Sequence, residues 1–236
     1  MKNFLSKKIT SLFLLLIFIG CSGNRDVMFF YLIDRSGTFY NQGATDQSIA
    51  LADKIFKILS EDMSANWVAG GINQYHVVNS IDEKGYGTDN CNIVISSETN
   101  IFADKKEKNN LDVCFKSIKK LGKSKMTDID GAIYNVSSTF EENTNLSKKA
   151  LIIFSDLHNE SPKRQSEFIS KLNGVEVFIV FIPSIKQQND PSLARDDKQK
   201  MIKMLNDNGV NKNNISITNY NSVVVNPNIV LEHFMK

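Results

Sequence analysis

Three strongly apolar runs constrain this chain more than any other feature: Val27-Met-Phe-Phe-Tyr-Leu-Ile33, Leu151-Ile-Ile-Phe154 and Val175-Glu-Val-Phe-Ile-Val-Phe-Ile182. A strand wetted on one face alternates apolar and polar residues. A run without that alternation suits a strand covered on both faces, as in parallel sheets. Helical spacing fills the intervals. Residues 48–59 place Ile49, Leu51, Ala52, Ile55, Phe56 and Leu59 on one face. Residues 104–121 predict a polar helix with Leu111, Val113, Cys114, Ile118 and Leu121 as its buried stripe. Residues 128–140 predict another, with Thr127 as N-cap. Residues 166–172 and 196–208 carry further helical patterns, and residues 214–218 predict a last parallel strand. Residues 67–72 with 75–78 read as a strand or an irregular hairpin arm, and the glycine-broken stretch 82–90 as a turn or exposed loop. Residues 91–96 read as a short antiparallel strand, and the polar stretch 186–200 as a mobile segment. The expected class is α/β: a Rossmann-like, doubly wound, mostly parallel sheet with helices on both faces and one antiparallel edge strand.

The N-terminus carries a separate message. Lys2, Lys7 and Lys8 precede Leu12-Phe-Leu-Leu-Leu-Ile-Phe-Ile19, and Gly20-Cys21 follows at once. This is the order and length of a secretory signal, too short to span a bilayer comfortably. Phe18-Ile-Gly-Cys21 resembles the lipobox of bacterial lipoproteins, which implies cleavage before Cys21 and acylation of its thiol. The alternatives are an uncleaved anchor or an ordinary secretory signal. The division is then a signal peptide (1–20), a lipidated cysteine with a short tether (21–26) and one domain (27–236). It implies a lipid-anchored protein of the bacterial cell envelope. Ser22 resembles an outer-membrane sorting signal, should the cell have two membranes.

Losing residues 1–20 removes three lysines, so the formal charge of +2 becomes −1. No net electrostatic argument for nucleic acid remains. The remaining 216 of 236 residues suffice for one core. Beyond Cys21, Cys91 and Cys114 are an even pair. An oxidising compartment favours a bridge between them, with two reduced thiols as the alternative. Neither has the Cys-x-x-Cys or histidine spacing of a zinc site.

Asp34, Ser36 and Thr38 leave the first apolar run at every second position, which can aim hard oxygens at one point. Divalent cations such as Mg2+ take that ligand set. Thr127 and Asp156 lie on segments that reach the same carboxyl edge if the strands 27–33 and 151–154 are neighbours, and ligands in such sheets gather at that edge. These residues resemble the von Willebrand factor A (VWA) domain and its metal-ion-dependent adhesion site. Asp34-Arg-Ser-Gly-Thr38 matches the family's Asp-x-Ser-x-Ser with threonine last, Thr127 its isolated threonine, and Asp156 its later aspartate. Lys125-Met126 replaces a common Gly-Gly, and Ser155-Asp156-Leu157 a common Thr-Asp-Gly.

The resemblance covers roughly residues 27–220 and implies a VWA-type fold that binds Mg2+ or Mn2+ and is not an enzyme. Ser36, Thr38 and Thr127 would give hydroxyl ligands, while Asp34 and Asp156 would bind directly or through water. The partner implied is a protein presenting a carboxylate, in adhesion or complex assembly. Alternatives are an assembly lipoprotein with a fold-stabilising ion, and a Mg-dependent phosphoryl hydrolase with Asp34 as nucleophile. Asp34 and Ser36 could also merely cap the following turn. His158 and Glu160 read as partner contacts or a solvated loop pair, and His76 and His233 as core or surface residues. Gly85-Tyr-Gly87 lacks the third glycine of a phosphate loop.

Overall fold

The computed structural model describes residues 26–66, 73–82, 91–96, 101–160 and 172–235. The signal peptide, Cys21, the strand reading at 67–72, the glycine-rich loop with Gly85-Tyr-Gly87 and most of the helical pattern at 166–172 lie outside the described residues. The strands β1 (Val27–Asp34), β2 (Asn73–Ile81), β3 (Cys91–Ser96), β4 (Lys148–Ser155), β5 (Val175–Phe181) and β6 (Ile215–Asn219) form one sheet in the order β3-β2-β1-β4-β5-β6. All neighbours are parallel except β3, which runs antiparallel to β2 at the edge. This is the doubly wound, mostly parallel architecture with one antiparallel edge strand that was expected. β1 and β4 are direct neighbours, with Ile33 opposite Phe154, so the chain leaves both strands at one edge.

The helices are α1 (Gly37–Asn41), α2 (Ala44–Asn66), α3 (Ile101–Lys120), α4 (Ile129–Glu142), α5 (Ile185–Asn189), α6 (Pro191–Asp207), α7 (Tyr220–Val225) and α8 (Asn228–Phe234). They cover both faces. Phe29, Tyr31 and Ile33 of β1 pack with Ile55, Phe56 and Leu59 of α2 and with Leu111, Phe115 and Ile118 of α3. Phe30 and Leu32, pointing the other way, pack with Ile133, Val136 and Phe140 of α4 and with Met201 and Leu205 of α6. Every residue of β1 is buried, which is why its apolar run does not alternate.

Three local expectations are corrected. Val113 and Leu121 are 63% and 45% exposed; Phe115 turns inward instead, because Leu111, Cys114, Phe115 and Ile118 keep the i, i+3, i+4, i+7 spacing of one helix face. Residues 186–200 form α5 and α6 rather than an irregular mobile stretch. Ser184 and Gln187 make a reciprocal capping box, and Asp190 caps α6 with Pro191 in its first turn. Thr127 is not the cap of α4. Asp128 is, accepting the Gly131 N–H at 3.0 Å. Cys91 of β3 and Cys114 of α3 are joined by a disulfide, their Cα atoms 5.6 Å apart, which ties the edge strand to its covering helix. No helix among the described residues is long and apolar enough to cross a membrane.

Candidate metal centre

Two buried carboxyl groups mark the edge where β1 and β4 end. Asp34 is the last residue of β1 and is fully buried. Its Oδ1 accepts the Ser36 N–H at 2.7 Å and its Oδ2 accepts the Ser155 hydroxyl at 2.7 Å. Ser155 ends β4, and Asp156, also buried, follows it. The Asp156 Oδ1 accepts the His158 N–H at 3.0 Å. Burial, only partly offset by the Ser36 and Ser155 hydrogen bonds, pushes Asp34 up to about 6. Burial, reinforced by the negative charge of Asp34, pushes Asp156 up to about 7. Two carboxylates desolvated side by side repel, and a cation between them removes that cost.

Two hydroxyls on the neighbouring turns are of the kind such a cation takes. Ser36 and Thr127 are buried, and Ser36 Oγ and Thr127 Oγ1 have no hydrogen-bond partner. Ser36 stands at the N-cap of α1 yet its side chain makes no cap bond. Thr127 is likewise released, because Asp128 does the capping of α4. Thr127 reaches the edge through its neighbours: its carbonyl accepts the Glu160 N–H at 3.0 Å, and Asp128 N–H donates to Asp82 O at 3.0 Å. Thr38 lies in the first turn of α1 and is exposed, so it stands at the rim and not among the buried oxygens. No group of three His, Cys, Asp or Glu among the described residues could hold a metal. The set here is mixed, two carboxyls with two orphaned hydroxyls, and it fits a hard divalent cation.

An outer layer that sequence reasoning missed holds these loops. Arg35, the spacer inside Asp34-Arg-Ser36, is buried. Its Nη1 donates to Gly122 O at 2.6 Å and its Nη2 to Asp82 Oδ2 at 3.2 Å, while its carbonyl accepts the Ser124 N–H at 2.7 Å. One guanidinium thus joins the turn after β1, the end of β2 and the loop leading to Thr127. On the far side, Gln187 Nε2 donates to Asp156 O at 2.8 Å and to Asp197 Oδ2 at 2.9 Å. The His158 Nδ1 lies 3.1 Å from the same Asp197 oxygen, so His158 belongs to this brace and not to a solvated pair. Leu157 has φ +62° and is buried, a left-handed backbone that glycine adopts freely and leucine rarely does. The one sequence trace of this layer is an arginine set between Asp34 and Ser36, whose burial and partners only the structure shows.

Of the remaining histidines, His76 is a core residue and His233 is partly buried. His76 is buried against Phe29, Tyr31 and Phe56, bonds Tyr31 and Gln74, and is held neutral by burial, down to about 3. His233 packs on Phe178 and Phe234.

No protein-family model and no curated protein sequence matches this chain. Solved structures do. The pilus adhesin SpaC of Lactobacillus rhamnosus GG, in its open conformation, matches 89% of this chain and 30% of its own, with a TM-score of 0.52 and 12% identity. Proximal thread matrix protein 1 of the mussel byssus, with a zinc-occupied MIDAS motif, matches 88% of this chain and 47% of its own, at 0.45 and 13%. The manganese-loaded TRAP protein of Plasmodium vivax matches 86% and 72%, at 0.42 and 16%. The chain spans less than a third of SpaC and about half of the thread matrix protein. At this identity the likeness to SpaC speaks for the fold alone.

Proposed function

We propose that this chain is a VWA-type, ion-dependent adhesion domain that binds a protein partner, held at a bacterial membrane by acylated Cys21. The observation that carries the reading is the pair of buried, unpartnered hydroxyl oxygens of Ser36 and Thr127 beside the buried carboxyls of Asp34 and Asp156. Ser36 and Thr127 would hold Mg2+ or Mn2+ with Asp34 and Asp156, directly or through water, and Thr38 would close the set from the rim. With few carboxylates, the bound ion would offer an under-neutralised positive centre to an anionic oxygen of the partner. Adhesion also agrees with what SpaC is by description, a pilus adhesin.

The test is thermal unfolding in Mg2+, Mn2+ or EDTA, for the native chain and for Asp34→Ala. An ion at 100 times its dissociation constant stabilises the native fold by about 2.7 kcal/mol. The expected result is a shift in the native chain that is absent in the variant. An equal response in both, or none in either, overturns the ion site.

A further inference from the structure

Between Val113 and Thr127 the chain carries five lysines, Lys116, Lys119, Lys120, Lys123 and Lys125, and no acidic residue. All five are exposed. Lys119 and Lys120 end α3, where basic side chains complement the helix dipole, and Lys119 also pairs with Asp46 at 3.1 Å. Lys123 and Lys125 lie beyond the helix, where that reason lapses. Lys120, Lys123 and Lys125 have no acidic partner among the described residues.

The placement of this segment is specific. α3 stops at Gly122, whose φ of +69° is left-handed, and the chain turns back onto β1. The Arg35 guanidinium holds Gly122 O, and Ser124 N–H donates to Arg35 O. A Cβ on Gly37 would lie 3.8 Å from Lys123 Cε and 3.6 Å from Ser124 O. Lys123 therefore borders the Asp34–Thr38 turn, with Lys120 and Lys125 two to three residues to either side along the chain. Leu121 and Met126, 45% and 39% exposed, stand among them. One acidic residue is also near: the Glu160 backbone N–H donates to the Thr127 carbonyl, and its charge reaches Asp34.

We propose that the partner meets this face with an acidic strip, one carboxylate at the ion position and further carboxylates over Lys120, Lys123 and Lys125. Leu121 and Met126 add apolar contact along the same line. This rests on the ion-dependent reading above and extends it, since a single carboxylate would need no lysine row. Exposed pairs of this kind act mainly on encounter and orientation, and salt weakens them.

The experiment selects displayed random peptides on purified full-length protein in detergent, with Mn2+ or with EDTA. Mn2+ binding is measured separately by calorimetry, for the native chain and for the triple variant Lys120→Ser, Lys123→Ser, Lys125→Ser. The expected peptides carry several Asp or Glu residues and require Mn2+. Their affinity falls roughly tenfold in the triple variant, while Mn2+ affinity is kept. Peptides with a single acid, no recovered peptides, or equal binding by the triple variant overturn the acidic strip and leave the ion site standing. Failure of the native chain to bind Mn2+ overturns the ion reading on which the strip depends.

Discussion

A hydroxyl buried without a partner costs about 1–3 kcal/mol, so two of them at one sheet edge need a reason. For Ser36 and Thr127 the reason offered is an ion, and substitution separates it from chance. Thr127→Val keeps the shape and deletes the orphan. In EDTA it should leave stability unchanged or raise it by about 1 kcal/mol, and in Mn2+ it should lose the stabilisation. A variant that melts lower in EDTA would show the hydroxyl to be structural. The carboxyls give a second prediction. Asp34 is raised to about 6 and Asp156 to about 7, while the unfolded chain releases those protons near 4. The ion-free fold thus holds the extra protons, its stabilisation from them is full in acid, and it is lost as pH rises from about 4 to 7. The loss is at most about 1.4 kcal/mol per pH unit for each proton. His76, lowered to about 3, works in the opposite direction, so the native chain must be compared with Asp156→Asn. Urea denaturation in EDTA should show native stability declining against the variant between pH 5 and 7; a flat difference overturns the assignment. The placement of Asp34, Ser36 and Asp156 at the carboxyl edge was legible because each sits a fixed step beyond a run that had to be a strand, whereas Thr127 could be placed only by the helix that starts after it. Arg35 and Ser155 were not legible, since the partners that give them meaning lie 47 and 121 residues away.

Elements, unlike residues, are coupled at this site by a single side chain. The Arg35–Asp82 pair is buried and joins β1 to β2, and the Arg35 bond to Gly122 brings in the end of α3. Breaking a buried pair from one side leaves a desolvated charge, so Arg35→Met should cost about 3 kcal/mol in urea. The loop bearing Thr127 would also lose its tie to β1, and Mn2+ affinity measured by calorimetry should fall. Loss of stability with Mn2+ affinity intact would mean that the clamp holds the fold and not the site. Most strands were legible because parallel burial writes itself as continuous apolar sequence, as in β1, β4 and β5. The stretch 186–200 was misread because polarity was weighed above its caps: Ser184 three residues before Gln187, and Asp190 before Pro191, are start signals that composition masks. Thr127 was misread for the reverse reason. It is a good N-cap residue, but the next position holds a better one, and the consequence is the free hydroxyl on which the site depends.

For the whole molecule, the sheet would convert the proposed short tether at Cys21 into an orientation. Five residues, Ser22 to Asp26, separate Cys21 from β1 and reach at most roughly 17 Å. Asp26 is fixed at the amino end of β1 by Ser147 and Asn73, whereas Asp34 ends the same strand about 23 Å further on. A domain anchored at Cys21 would then carry its ion edge on the side facing away from the bilayer, open to a partner. Two experiments test this together. Cys21→Ala should abolish fatty-acid labelling and leave the apolar segment uncleaved, seen as a heavier chain, while leaving its response to Mn2+ unchanged. Labelling or cleavage that persists in that variant would overturn Cys21 as the acylated residue. In vesicles carrying an energy-acceptor lipid, a dye on Asn145→Cys, at the amino edge, should transfer energy more strongly than one on Asn41→Cys, at the end of α1. Both positions are exposed, and the native Cys91 and Cys114 are bonded to each other, so each dye reports one place. Equal or reversed transfer would lay the ion edge against the membrane, where no protein partner could reach it.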